Sequence, residues 1–115
     1  MAKTNRNKVP TDRLSSSEWQ LMRICWRLGR CNAREVLRED LKTHIRDYRT
    51  ILTFMTRMTR KGWLEVDKEG NTNFYTPAVA QEKALEKRIR QFLDQVVGPD
   101  PKHRELLLKI LKDEF

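Results

Sequence analysis

Glycine is scarce in this chain: four residues in 115, none of them clustered, so a glycine-rich loop that cradles phosphates is excluded. Cysteine is scarcer. Cys25 and Cys31 cannot build a disulfide framework. The only histidines, His44 and His103, sit in no metal or nucleophile motif. No catalytic set, metal site or cofactor site can be assembled from these residues, and an enzyme is not expected. No apolar run approaches the roughly 20 residues that a membrane-spanning helix needs. The opening MAKTNRNKVPTDR has no apolar centre and does not read as a secretory signal. A cytoplasmic location with no membrane partner is the expectation.

Positive charge is plentiful. The net charge is +8 and the isoelectric point about 9.9, which points to a polyanionic partner. The charge is uneven. Residues 1–13 carry four Lys/Arg against one acid and residues 14–62 eleven against five. Residues 63–77 carry one against three, and residues 78–115 eight against seven. With 38% hydrophobic and 35% charged residues, the chain supports one small core plus an appendage, and association would enlarge that core.

Residues 1–13, with Lys3, Arg6, Lys8 and Arg13 among Thr, Asn and Pro, read as a flexible basic arm able to add phosphate or minor-groove contacts. Ser15 with Glu18 forms a capping box that opens a first helix. Its stripe is Trp19, Met22, Cys25 and Trp26, broadened by Leu21, Ile24 and Leu28, and Gly29 stops it. The tryptophans read as core rather than as a ligand cage. Cys25 lies on the apolar side, whereas Cys31 falls at a loop start, where a thiol can be reactive. Neither has an evident local partner. Asn32 with Glu35 opens a short second helix, about Ala33 to Leu41, with Val36, Leu37 and Leu41 inward.

The stretch 47–62, DYRTILTFMTRMTRKG, organises the rest. Asp47 is a capping residue and Gly62 a stop. Ile51, Phe54, Met55 and Met58 form a core-facing stripe. The other side holds Arg49, Thr50, Thr53, Thr56, Arg57 and Arg60, with no acid after Asp47. Cationic stems among short hydroxyls suit close approach to a phosphate backbone and to base edges. Residues 63–67 and 72–76 then read as strands around the turn 68–71, a hairpin closed by Pro77 with Asn71, Thr72 and Asn73 at its tip. A short helix, a cationic helix and a hairpin in that order are the layout of a winged helix. Beyond it, residues 79–97 are helical, with Leu85, Ile89, Phe92 and Val96 as a heptad-like seam. Gly98-Pro99-Asp100-Pro101 breaks the pattern before a last helix, about 102–112, carrying Leu106, Leu107, Ile110 and Leu111. These stripes exceed what a filled winged-helix core can take, so a second copy is the expected partner.

The ordered set of residues is specific. It comprises Leu14-x-x-x-Glu18-Trp19-x-x-Met22-x-x-x-Trp26, then Tyr48-x-Thr50-Ile51-x-Thr53-x-Met55-x-Arg57-Met58-x-x-Lys61-Gly62-Trp63-Leu64, then Phe74-Tyr75-x-Pro77. Over about residues 14–97 this resembles the penicillinase-repressor family of bacterial transcription repressors (BlaI/MecI type, with copper-responsive CopY relatives). The resemblance implies a homodimeric winged-helix repressor of double-stranded DNA at a palindromic operator, with a C-terminal helical dimerisation module. The family's threonine and basic residues early in the recognition helix touch DNA; here those positions are Arg49, Thr50 and Thr53. The resemblance departs at two places. β-Lactam-responsive members are cut at an Asn–Phe bond in a longer dimerisation region, whereas the one such bond here, Asn73-Phe74, lies in the wing. Copper-responsive members carry a Cys-x-Cys tail, and no cysteine follows Cys31. Neither release route is expected, and any upstream sensor or protease stays open.

The fold expected is mainly α with a small β-hairpin: a flexible arm at 1–13, a winged helix-turn-helix at 14–77 and dimerisation helices at 78–115. The DNA-contacting set is Arg46, Tyr48, Arg49, Thr50, Thr53, Arg57, Arg60, Asn71 and Asn73. The dimerisation set is Leu85, Ile89, Phe92, Val96, Leu107 and Leu111. Two other readings fit the residues: a winged helix that binds structured RNA, and one that contacts proteins while its basic face is merely solvated.

Overall fold

The computed structural model describes residues 8–115, so Lys3 and Arg6 of the expected arm lie outside the described residues. The chain forms two compact units, one ending at Gln81 and the other running from Glu82 to Phe115. The boundary falls four residues beyond the expected position after Pro77.

The first unit is built from helices α1 (Ser16–Leu28), α2 (Ala33–Asp40) and α3 (Tyr48–Lys61) and strands β1 (Cys31–Asn32), β2 (Leu64–Glu69) and β3 (Thr72–Pro77). The strands form one antiparallel sheet in the order β1-β3-β2. Both capping boxes form. Ser15 and Asn32 accept from the amides of Glu18 and Glu35, whose carboxylates reach back to the cap amides. Such caps contribute about 1 kcal/mol each. Asp47 accepts from the Thr50 amide at 2.8 Å, and that hydrogen bond holds its carboxylate below the usual range. Gly62 ends α3 at φ 94°, a left-handed position that a side chain would strain.

The core takes Leu21, Met22, Ile51, Met55, Met58 and Leu64, all essentially inaccessible. Trp19 sits between Trp26 and Trp63, with ring centroids 5.8 and 6.1 Å away. Both outer indoles donate to backbone carbonyls, Trp26 to Val79 and Trp63 to Asp12. This is packing, not a cage. It also ties both ends of the unit to the centre.

Four expectations give way here. Residues 12 and 13 are anchored rather than a free arm. The Asp12 carbonyl accepts from Trp63, and the Arg13 carbonyl accepts from the Lys61 ammonium at 3.0 Å. Leu41 is 53% exposed, because α2 stops at Asp40 and the chain turns away. Val79 belongs to the core rather than to the next helix, which starts at Gln81. Cys31 is buried in β1 rather than exposed at a loop start. Its thiol lies against that of Cys25, and this hydrogen bond, with burial, pushes the Cys25 thiol up. The same contact holds the Cys31 thiol below its ordinary value, while burial keeps it from solvent.

A buried ion pair closes the base of α3. Lys61 lies 2.8 Å from Glu18, which is fully buried. Burial opposes ionisation of Glu18, but the Lys61 ammonium and the Ser15 amide outweigh it and hold the carboxyl below its ordinary 4.5. A depressed folded value means the pair's stabilisation is present above the unfolded pKa and is lost as pH falls through the folded one. Glu18→Gln is therefore expected to lower the urea midpoint at neutral pH. It should also flatten the decline of that midpoint below pH 4.5. An unchanged acid limb would show that Glu18 does not govern it.

The second unit holds α4 (Gln81–Phe92), continued by a π-helical turn over Leu93–Val97, and α5 (Pro101–Glu114). The turn is closed by the Gly98 amide donating to the Leu93 carbonyl at 2.8 Å. Asp100 caps α5 by accepting from the Lys102 amide, with Pro101 in the first turn. Arg104 donates to the Gly98 carbonyl and fixes the corner. No helix among the described residues is long and apolar enough to cross a membrane.

Candidate nucleic-acid interface

Helix α3 exists because its apolar residues recur with a helical period. The same period sorts its polar residues. Arg49, Thr53, Thr56 and Arg60 follow one another at steps of four, three and four, so they line one strip on the side away from the core. All four are exposed. Among the described residues, neither the Arg49 nor the Arg60 side chain makes a hydrogen bond or an ion pair. The Thr53 hydroxyl donates to the Arg49 carbonyl at 3.0 Å. Its lone pairs and methyl group therefore remain for a partner. Thr50 is half-buried and flanks the strip with Arg57, whose guanidinium lies 5.6 Å over the Phe54 ring. Arg57 is thus braced along the helix rather than extended from it. Tyr48, 37% exposed, opens the helix under the guanidinium of Arg34, 4.8 Å from its ring centroid.

The hairpin stands beside this strip. Its turn is the pair Gly70-Asn71, tighter than the four-residue turn expected, with Gly70 at φ 63° as a two-residue hairpin with glycine first requires. Thr72 and Asn73 belong to β3, leaving Asn71 alone of the expected tip in the turn. Tyr75 is buried in β3; burial pushes its phenol up, opposed by Asn73 beside it and Thr56 of α3. The wing's acidity is compensated from outside it. Arg30 sits 2.9 Å from both Asp67 and Glu69 and 4.0 Å over the Phe74 ring. These exposed pairs contribute little stability, but they offset the negative charge of the wing beside the cationic strip.

Arg46, of the expected DNA-contacting set, has its guanidinium turned inward. It donates to Asp40, to Gln20 and, at 3.3 Å, to Ser17, and its side chain is 14% exposed. A carboxylate six residues back and a polar edge of α1 claim it, a non-local pairing that sequence spacing does not reveal. Arg34 was missed for the converse reason. Nothing around it in the sequence marks it, and its place becomes visible only when α2 packs against the start of α3.

In the second unit, Leu85, Ile89, Phe92 and Val96 are exposed, from 39% at Phe92 to 67% at Val96. Leu111 is exposed and Leu107 half-buried. Leu106, Leu108 and Ile110 are exposed as well, so α5 is apolar on more than one side, as suits a helix with further surface to bury.

With this geometry established, comparison with known proteins is decisive. The family profile described as Penicillinase repressor matches residues 14–114. The chain belongs to the penicillinase repressor family. The family is one of DNA-binding repressors, not enzymes. The penicillinase repressor of Bacillus licheniformis is 32% identical over 88 residues, covering 76% of this chain and 67% of that protein. The penicillinase repressor of Staphylococcus aureus is 30% identical over 101 residues, covering 88% and 79%. An uncharacterized Latilactobacillus sakei protein is 36% identical over 90 residues, and this chain spans 60% of its length. The solution structure of B. licheniformis BlaI in complex with the blaP half-operator superposes with a TM-score of 0.54 at 32% identity, covering 63% of this chain and 88% of that one. The winged-helix reading of the first unit therefore holds.

Proposed function

We propose that the protein is a homodimeric transcriptional repressor that binds a palindromic operator and occludes the promoter. The observation that carries this reading is the strip Arg49, Thr53, Thr56 and Arg60. It is cationic and exposed, free of acids and of internal ion pairs, and borne on the helix that a winged fold presents to the major groove. A related repressor, BlaI of B. licheniformis, solved in complex with its half-operator, supports DNA as the partner. Arg49, Thr50 and Thr53 read bases; Arg60 and Lys8 neutralise phosphates; Asn71 reaches the backbone from the wing. Arg57 braces α3, and Arg46 acts as scaffold. The seam of the second unit pairs two copies, which sets two recognition helices about one DNA turn apart. The location is the cytoplasm, where the operator is.

Selection from a random duplex pool tests this directly. A two-fold symmetric consensus is expected, with binding that falls steeply as salt rises. An unsymmetric or RNA-restricted preference would favour an RNA-binding winged helix, and salt-insensitive behaviour a protein-binding one. Arg49→Ala is expected to cost about 1–3 kcal/mol on the selected site and to relax the preference at one position of each half-site. Lys8→Ala should weaken selected and random duplexes alike. An unchanged preference in Arg49→Ala would remove that residue from the base-reading set.

A further inference from the structure

We propose that Arg34, stacked on Tyr48, clamps a DNA backbone phosphate in the groove between the recognition helix and the wing. This rests on the operator-binding reading and extends it to a residue outside the α3 strip. The groove encloses about 420 Å³. It joins the first turn of α2, the first turn of α3 and the wing, through Arg34, Tyr48, Leu52, Asn71 and Asn73. None of the residues lining it is acidic, so its only formal charge is the guanidinium of Arg34.

That guanidinium is available. Arg34 is exposed and, among the described residues, its side chain makes no hydrogen bond or ion pair; its guanidinium lies 4.8 Å from the Tyr48 ring centroid. Three other arginines of the first unit are engaged. Arg27 is paired with Glu39, Arg30 with Asp67 and Glu69, and Arg46 with Asp40. Stacking on an aromatic face limits where a planar guanidinium can point while leaving its N–H groups free. A planar fork of donors held in this way suits two oxygens of one phosphodiester. Asn71 and Asn73, which also line the groove, carry amides able to donate as well. Tyr48 is the neighbour of Arg49 in the first turn of α3. A strand whose bases meet Arg49 therefore brings its backbone past this groove, and a phosphate is the only group on that strand carrying the charge that Arg34 lacks a partner for. Arg34 supplies affinity and register, and no sequence information.

The test uses the full chain and a fluorescently labelled random-sequence duplex, titrated by anisotropy from 50 to 200 mM salt. Arg34→Ala is expected to weaken binding roughly five- to tenfold near 0.1 M salt and to reduce the slope of log K against log salt by about 0.9 for each Arg34 engaged. The ratio of selected to random duplex affinity should not change. Arg34→Lys should keep the slope and lose part of the affinity, because it retains the charge without the fork. Tyr48→Ala should approach Arg34→Ala, since the ring is what holds the guanidinium. Unchanged affinity and slope in Arg34→Ala, with the parent binding normally, would overturn the clamp and leave the repressor reading intact. A parent protein without salt-dependent duplex binding would overturn both.

Discussion

Replacing Ile89 and Phe92 together with aspartate is expected to yield monomers by light scattering and to weaken binding to a two-half-site operator by roughly two to four orders of magnitude. Ile89 is 57% exposed and Phe92 39% exposed in the isolated chain, and they lie one turn apart on α4. On the proposed dimer they meet the same seam of the second copy. A carboxylate there is stripped of water without a cationic partner, which costs several kcal/mol per ion. Two such charges from each copy exceed what a seam of this size returns. The loss at the operator follows from linkage. One bound half places the second recognition helix at high local concentration over its own half-site, and a monomer forfeits that advantage. Two readouts keep the interpretation clean. Affinity for an isolated half-site should persist, and the melting of the first unit should not move. Dimers that survive the substitutions would eliminate this seam as the interface.

The same helix shows where sequence periodicity stops being informative. Leu85, Ile89 and Phe92 step by four and three, and a further step of four to Val96 continues the alternation. The turn over Leu93–Val97 is π-helical, however, with each bond spanning five residues, so less rotation accompanies each residue. Val96 is shifted in phase from the three residues before it. Hydropathy spacing carries no signal for such a turn, because the pattern of residue types is unaltered. The caps, by contrast, were legible. Ser15 with Glu18, Asn32 with Glu35, and Asp47 are local hydrogen-bonding devices, fixed by residues three apart. The hairpin was legible for a similar reason, through Gly70-Asn71 between alternating strands. Strand β1 was not, since two residues have no periodicity and Cys31 becomes a strand residue only by pairing opposite Tyr75. The interface divides in the same way. The strip on α3 follows from helical spacing alone. The roles of Arg30, Arg34 and Arg46 depend on partners contributed by other elements.

Arg46 carries the second large effect, and its sign separates a scaffold from a phosphate contact. Arg46→Met is expected to destabilise the first unit by about 3–5 kcal/mol, the cost of stranding a buried charge. Asp40 is fully buried, and both Arg46 and His44, whose Nδ1 is 3.3 Å away, approach the same oxygen, Oδ1. The other oxygen, Oδ2, has no hydrogen-bond partner among the described residues. Losing Arg46 leaves the carboxylate with the imidazole alone, and frees Gln20 and Ser17 as well. In a domain whose whole stability is about 5–15 kcal/mol, such a loss brings the urea midpoint down sharply and puts part of the population in the unfolded state near 37 °C. Adding Asp40→Asn should recover part of the loss, because the stranded charge is removed with its partner. A phosphate-contacting arginine behaves in the opposite way: its removal lowers duplex affinity and the salt slope and leaves the urea midpoint in place. An Arg46→Met protein with normal stability and a reduced slope would therefore return Arg46 to the DNA-contacting set. The expected protein instead binds the duplex with an unchanged slope at low temperature, where it is folded. Its apparent affinity falls on warming only as the folded fraction does.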